Sequence, residues 1–422
     1  MLKASALYMV IIIALVIGLL CSALIAAAYF YQAAYQAKFR VDRLQNNMNS
    51  GINILLTSTD SSYRTERAVS LFANDDLDSV SLQRFAWGAF DIGIVQAFAQ
   101  RDTLYKVFSI ANAIDSAKWA ALYLIDEDRP LSLSGKTTIR GDVYIPKAGV
   151  KTAYVDNQSY TGDQQLVQGK QHNSEKKLPP LTPKRLQIIR QFLRQPAEHN
   201  SMLLKNKSID RSFRLPTTTI GLGKQVTTLQ NISLSGNLII RSDTTLIIDS
   251  SAIMHHVIIF AKAILIKAGF HGNGQFYAKD SIGIERDCRF TYPSCLGVLW
   301  DTTAIIGFPE KISLGENTRF TGLIFTYEKA KNPLRPLIAL GKNTTVAGQI
   351  YSQGTLSIKA GTSIAGNVMT SRFLYQNEIT AYENYLINTT IDARALSRYY
   401  LISDLSPVSA EQKKILQWLE VR

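Results

Sequence analysis

The hydrophobic pattern divides the chain at once. Residues 4–37 carry no charged side chain, and residues 7–31 read LYMVIIIALVIGLLCSALIAAAYFY. That run is long enough to cross a hydrocarbon core of about 30 Å as one helix. The alternative, a cleaved signal sequence, would have an apolar region of only about 7–15 residues, so the length favours a retained anchor. Beyond it, Val41, Leu44, Met48, Ile52 and Leu55 recur three or four apart, the stripe of an amphipathic helix. One helix is expected over residues 1–57, apolar first and amphipathic afterwards.

The period then changes. Phe90, Ile92 and Ile94 alternate as in a strand, and Gln100-Arg101-Asp102 reads as a turn into a second strand over 104–110. Residues 121–125, the polar stretch Asp126-Glu127-Asp128-Arg129-Pro130 and residues 131–134 suggest another hairpin. A small antiparallel α+β unit is therefore expected over 58–130.

A long helix that starts at the N-terminus, here Lys3-Ala4-Ser5-Ala6-Leu7, and leads into a small sheet resembles type IV pilins and their minor or pseudopilin relatives. Lys3-Ala4 stands in the place of the prepilin processing site, and Met9 stands where most pilins carry Glu. That departure points to a minor member. The resemblance implies a single-pass anchor in the inner membrane, an extracytoplasmic bulk, and pilin-like or self-assembling subunits as partners. Charge counts mildly the other way, because Lys38, Arg40 and Arg43, offset by Asp42, follow the apolar run.

An imperfect repeat fills the rest of the chain. Gly141, Gly236, Gly274, Gly322, Gly348 and Gly366 each open a strand-like run: GDVYI, GNLII, GQFYA, GLIFT, GQIYS and GNVMT. Two residues after each glycine stands an apolar side chain: Val143, Leu238, Phe276, Ile324, Ile350 and Val368. The residue between is polar in every run except at Leu323, and is expected to face solvent. From Gly236 onward the intervals are 38, 48, 26 and 18 residues, which a coil of roughly 18–20 residues accounts for if the first interval is doubled and others carry loops. His256-Val257-Ile258-Ile259 would fill the missing coil. Turns such as GENT and GKNT precede several glycines. Stacked coils would bury inward residues that no single coil can bury. The pattern resembles the right-handed β-helix of bactofilins and polymer-forming proteins, so a right-handed β-solenoid is expected over 131–372.

Between about 151 and 230 the repeat is interrupted. Residues 151–215 hold 12 Lys and Arg against 5 Asp and Glu, in a chain of net charge +13. Thr182-Pro183 is a helix start, with Leu186, Ile189 and Leu193 on an apolar face and Arg185, Arg190 and Arg194 on others. A solvated basic helical insertion is expected. Residues 373–422 are expected to hold strands and a capping helix, because Ser409 and Gln412 form a capping-box pattern ahead of Ile415, Leu416 and Leu419.

Little here points to catalysis. GKTT at 135–138 lacks the glycine that a phosphate loop needs, since Pro130 stands there, and adjacent His255-His256 on a strand would face opposite ways. No catalytic, cofactor or metal residue is assigned. Glu285 and Asp287 share a face of a presumed strand, the nearest approach to a carboxylate pair. Cys288 and Cys295 bracket a short loop and are a candidate disulfide. Tyr144, Ile239, Tyr277, Phe325, Tyr351 and Met369, three residues after each glycine, would line the outer face; Tyr277, Phe325 and Tyr351 are its candidate interface, buried either under the basic insertion or the amphipathic helix or against another subunit or partner.

The expectation is thus a mainly β, membrane-anchored structural protein, a minor pilin-like or surface-display subunit and not an enzyme. The alternatives are a β-helix carbohydrate-active enzyme and a cytoplasm-facing polymerising scaffold. The basic surplus leaves nucleic acid and polysaccharide open as partners.

Overall fold

The computed structural model describes residues 2–71, 78–99, 102–196, 207–300, 311–329, 334–377 and 380–421. Gln100 and Arg101 of the expected turn, and the side chains of Lys3 and Ala4, lie outside the described residues. The chain forms two compact units. One comprises Met1–Phe85, Gly93–Phe108 and Trp418–Arg422; the other comprises Ala86–Ile92 and Ser109–Gln417.

In the first unit, α1 spans Leu2–Thr57, 56 residues, or about 84 Å at 1.5 Å per residue. Its apolar side chains from Leu7 to Val41 are exposed, whereas Leu44, Met48, Ile52 and Leu55 are buried. Val41 therefore falls outside the buried stripe expected for it. Most of β1 (Arg67–Ser70), β2 (Asp78–Trp87), β3 (Phe90–Ala99) and β4 (Asp102–Ile114) belongs to this unit; the five-stranded sheet runs in that order and ends on the strand Ser409–Val421, with β1 and β2 antiparallel. Gly51 lets the helix approach this sheet, since an added Cβ would stand 2.7 Å from Val95 Cγ1 and 2.9 Å from Leu82 Cδ2. Arg84 Nη1 donates to Leu55 O at 3.0 Å and Ser58 O at 2.9 Å. A cation there satisfies carbonyls that the last helical turn leaves free.

The expected capping helix at the C-terminus is this fifth strand, Ser409–Val421. Ile415 and Leu419 share one side of the strand with Gln417, and Leu416 and Trp418 share the other with Glu420, so neither side is wholly apolar. Pairing at the edge of a sheet overrides a helix start that is correct only locally.

The second unit is a closed system of parallel strands. Three columns of apolar residues run through its interior. Phe320, Val346, Ile364, Ile391 and Ile139 are successive ladder partners in one. Ile324, Ile350, Val368, Leu122 and Val143 form the second. Ile284, Leu314, Leu340 and Ile358 form the third. All belong to one buried core. Between Gly236 and Gly274 a further parallel strand is present, as Ile258 and Ile259 lie between Ile239 and Ile240 on one side and Gln275 and Phe276 on the other.

Spatial order departs from chain order. The strand Thr390–Asp392 pairs with residues 363–365 on one side and with Thr138–Arg140 on the other. Leu122–Leu124 likewise lies between residues 368–370 and 143–144. The stretch from 121 to 134 is thus no antiparallel hairpin; its strands take parallel partners about 250 residues away. Val150–Thr152 and Gln171–Asn173 continue the parallel pairing, and Ser208–Arg211 begins it at the opposite end. The expected interruption over 151–230 shrinks to a crossover between these ends that carries α2 (Pro183–Arg194).

Two kinds of corner turn the chain. Asn317 and Asn343 take left-handed φ of 58° and 56°, which Asn tolerates better than most residues. Asn317 Nδ2 donates to Asp287 Oδ1 at 3.1 Å, and Asn343 Nδ2 to Asn317 Oδ1 at 3.4 Å. Thr318 and Thr344 are buried behind them, so GENT and GKNT are corner sequences. The other corner is a glycine column. Gly348 and Gly366 have φ of 138° and 145°, and an added Cβ would lie 2.1 Å from Gly322 O and 1.9 Å from Gly348 O respectively. Gly141, Gly236 and Gly322 share the positive φ, but Gly274 does not. It pairs with Val257 beside a register shift, so it is not a corner of the same kind.

Candidate functional site: the covered face of the parallel strands

Counted from the column glycines, the second residue enters the core: Val143, Leu238, Phe276, Ile324, Ile350 and Val368 are all buried there. The first and third residues point the other way, yet they too are largely buried. Asn237, Gln275, Gln349 and Asn367 are inaccessible to solvent, which corrects the expected solvated position. Each amide has a partner outside the strands. Asn237 Nδ2 donates to Leu215 O at 2.8 Å, Gln349 Nε2 to Ser406 Oγ at 2.9 Å, and Asn367 Nδ2 to Ala120 O. Gln275 Nε2 donates to Trp87 O at 2.9 Å, while its Oε1 accepts from Ala89 N and Tyr277 Oη, both at 2.7 Å. Buried amides persist because such partners meet the cost of desolvation.

The aromatic stripe lies under the same cover. Phe192 of α2 stacks on Phe260 at 5.8 Å, Phe260 on Tyr277 at 5.2 Å, and Tyr277 meets Phe325 edge-on at 6.3 Å. Tyr351 Oη donates to Pro179 O at 3.0 Å. Tyr277 and Phe325 are wholly buried and Tyr351 is 6% exposed. Of the two expected covers, the chain's own crossover is the one present, so the stripe is not an exposed partner interface.

Arg185 fixes that cover. Expected among the solvated arginines of α2, it is buried. Its Nε donates to Asp404 Oδ1 at 2.6 Å and its Nη2 to Asp404 Oδ2 at 2.9 Å and Asp91 Oδ1 at 2.5 Å. Its Nη1 donates to Phe90 O at 2.8 Å. Burial alone would lower the guanidinium pKa, but the two carboxylates outweigh it and raise it. The turn at Gly88–Ala89, α2 and the loop around Asp404 thus meet at one cation.

Cys288 and Cys295 are free thiols, which corrects the candidate disulfide. Cys288 belongs to the inner core and donates to Lys267 O at 3.3 Å. Cys295 stands on the outer side, hydrogen-bonded with Tyr277, and burial pushes its thiol up to about 12. Side chains on opposite faces of one wall do not meet.

Candidate acid–base groups are dispersed. Glu285 pairs with Lys267 at 2.8 Å, while Asp287 sits in a left-handed corner at φ 59° beside Arg286 and Asn317. They do not share a strand face. His256 also has positive φ, its carbonyl accepts from Trp87 Nε1 at 3.1 Å, and burial with His255 nearby pushes its imidazole down to about 4. Among the described residues no group of three or more His, Cys, Asp or Glu could hold a metal ion.

No known protein family matches the chain, and no curated protein matches it. Among solved structures, the competence-associated pilin ComZ from Thermus thermophilus is similar over 85% of this chain and 86% of that one, at 10% identity and a TM-score of 0.28. A likeness that low carries no weight for fold or function.

Among the described residues, hollows open along the cover. One of about 490 Å³ is lined by Lys176, Lys177, Leu186, Arg190, Tyr327 and Tyr351. A second, of about 360 Å³, holds Asp126, Glu127, Asp128, Glu328 and Arg335. There burial would raise the Glu127 carboxyl, but Arg372 at 2.7 Å and Arg335 at 2.8 Å hold it below the usual range. The third, of about 790 Å³, is predominantly basic. Sequence reasoning misses Arg185, Asp91, Asp404 and the buried amides; its only signal for them is a polar residue at one fixed place in the repeat.

Proposed function

We propose that the chain is a membrane-anchored, pilin-like structural subunit, and that its parallel coils form a β-solenoid carried on the extracytoplasmic side. The observation behind this reading is the division of α1. Within Ala6–Thr57, an 18-residue window of mean hydropathy 3.0 is entirely unburied, while Leu44, Met48, Ile52 and Leu55 are buried in the unit that holds the sheet. An exposed apolar surface of this length is costly in water and favourable in lipid. The dispersal of Glu285, Asp287 and the histidines supports a structural role over a hydrolytic one.

Alkaline carbonate extraction tests the anchor. The full chain should stay with the membrane, and Ile12→Asp combined with Val16→Asp should release it, because charges at mid-bilayer cost several kcal/mol. Release of the unaltered chain would overturn the reading.

A further inference from the structure

We propose that the hollow of about 790 Å³ bordered by Arg194, Lys262, Lys279, Trp300 and Lys329 binds an acidic glycan, a polymer carrying uronate carboxylates. This goes beyond the structural role and does not depend on which side of the membrane the chain faces.

The parallel ladder aligns two of the cations. Ala261 pairs with Ala278, Ala278 with Val298, and Trp300 with Glu328. Lys262 and Lys279 follow Ala261 and Ala278 and so stand in line, whereas Val298 pairs in turn with Thr326 and Lys329 lies two residues beyond the place in line with them. Neighbouring strands are about 4.8 Å apart, so Lys262 and Lys279 are one step from each other, and Lys329 joins them as a third cation of the same lining. All three lysines are exposed. Arg190 and Arg194 of α2 contribute to the lining.

The rest of the lining selects the polyanion. Asp243 and Asp280 lie among the cations, with Asp280 Oδ2 3.8 Å from Lys262 Nζ. A sugar polymer presents carboxylates to the lysines and hydroxyl donors to these two acceptors. A DNA backbone offers negative charge without such donors, so the two aspartates repel it with no hydrogen bond in return. Leu299 and Trp300, both buried, form the apolar floor of the hollow.

The test uses the detergent-solubilised full chain with polygalacturonate, neutral dextran and duplex DNA as probes. Polygalacturonate should bind at about 0.1 M salt, where exposed charges still act over about 10 Å, and dextran should not bind. Combining Lys262→Gln, Lys279→Gln and Lys329→Gln should weaken that binding at least about tenfold with the melting temperature unchanged. Asp243→Ala with Asp280→Ala should strengthen DNA binding more than polygalacturonate binding, because it lifts repulsion from both but removes acceptors that only the glycan uses. Equal affinity of the unaltered chain for DNA and polygalacturonate, or a triple variant that binds like the parent, would overturn the assignment.

Discussion

Arg185 and Asp404 meet as a two-pronged pair, Nε to Oδ1 at 2.6 Å and Nη2 to Oδ2 at 2.9 Å, with Asp91 on the same guanidinium. The planar fork of arginine matches a carboxylate in a way that lysine cannot. One side chain therefore joins a turn near residue 88, a helix near 185 and a loop near 404, and the cover over the aromatic stripe depends on it.

Replacing Arg185 with Met should destabilise the second unit by about 3–5 kcal/mol, because it leaves Asp91 buried beside an empty place. Arg185→Lys should fall between Met and the parent. Thermal melts of the three proteins read this directly; a Met variant as stable as the parent would mean that the cover is held by other contacts.

Gln349→Ala removes a buried amide whose Nε2 donates to Ser406 Oγ. The expected loss is about 1–3 kcal/mol, the usual effect of leaving a buried partner unsatisfied, and more than a solvated glutamine would give. Urea unfolding with an unchanged slope would measure it.

The glycine column predicts a contrast. Gly366→Ala places a Cβ 1.9 Å from Gly348 O at φ 145°, whereas Gly274→Ala meets its nearest atom, Val257 O, at 3.0 Å without positive φ. The first should disrupt the stack, with loss of parallel β signal or insoluble expression. The second should fold and melt closer to the parent.

His256 supplies a pH test. Its folded pKa, about 4, lies below the ordinary 6.5, so the unfolded chain binds the proton more readily. Stability from this group is present above pH 6.5 and is lost as pH falls from there through about 4. His256→Asn keeps a residue that accepts a φ of 61° and should flatten the melting temperature over that window.

What the sequence makes legible is what repeats. The apolar second position and the GENT and GKNT corners recur because every coil solves the same packing problem, and α1 stands out because a hydrophobic stretch that long has few other uses. The remainder depends on contacts distant in the chain. Nothing local to residues 121–124 says that Leu122 pairs with Val368, and nothing local to Ser409–Val421 chooses strand over helix. Gln275 and Gln349 read as surface because their partners, Trp87 and Ser406, are 188 and 57 residues away. Arg185 reads as one more solvated arginine for the same reason.

The membrane topology tests the central claim most directly. Alkaline phosphatase, active only outside the cytoplasm, and a fluorescent protein that matures only inside it can each be fused after residue 56 and after residue 422. An extracytoplasmic subunit anchored by α1 should give phosphatase activity and no fluorescence at both points. Fluorescence without phosphatase activity at both would place the coils in the cytoplasm and contradict the proposed role.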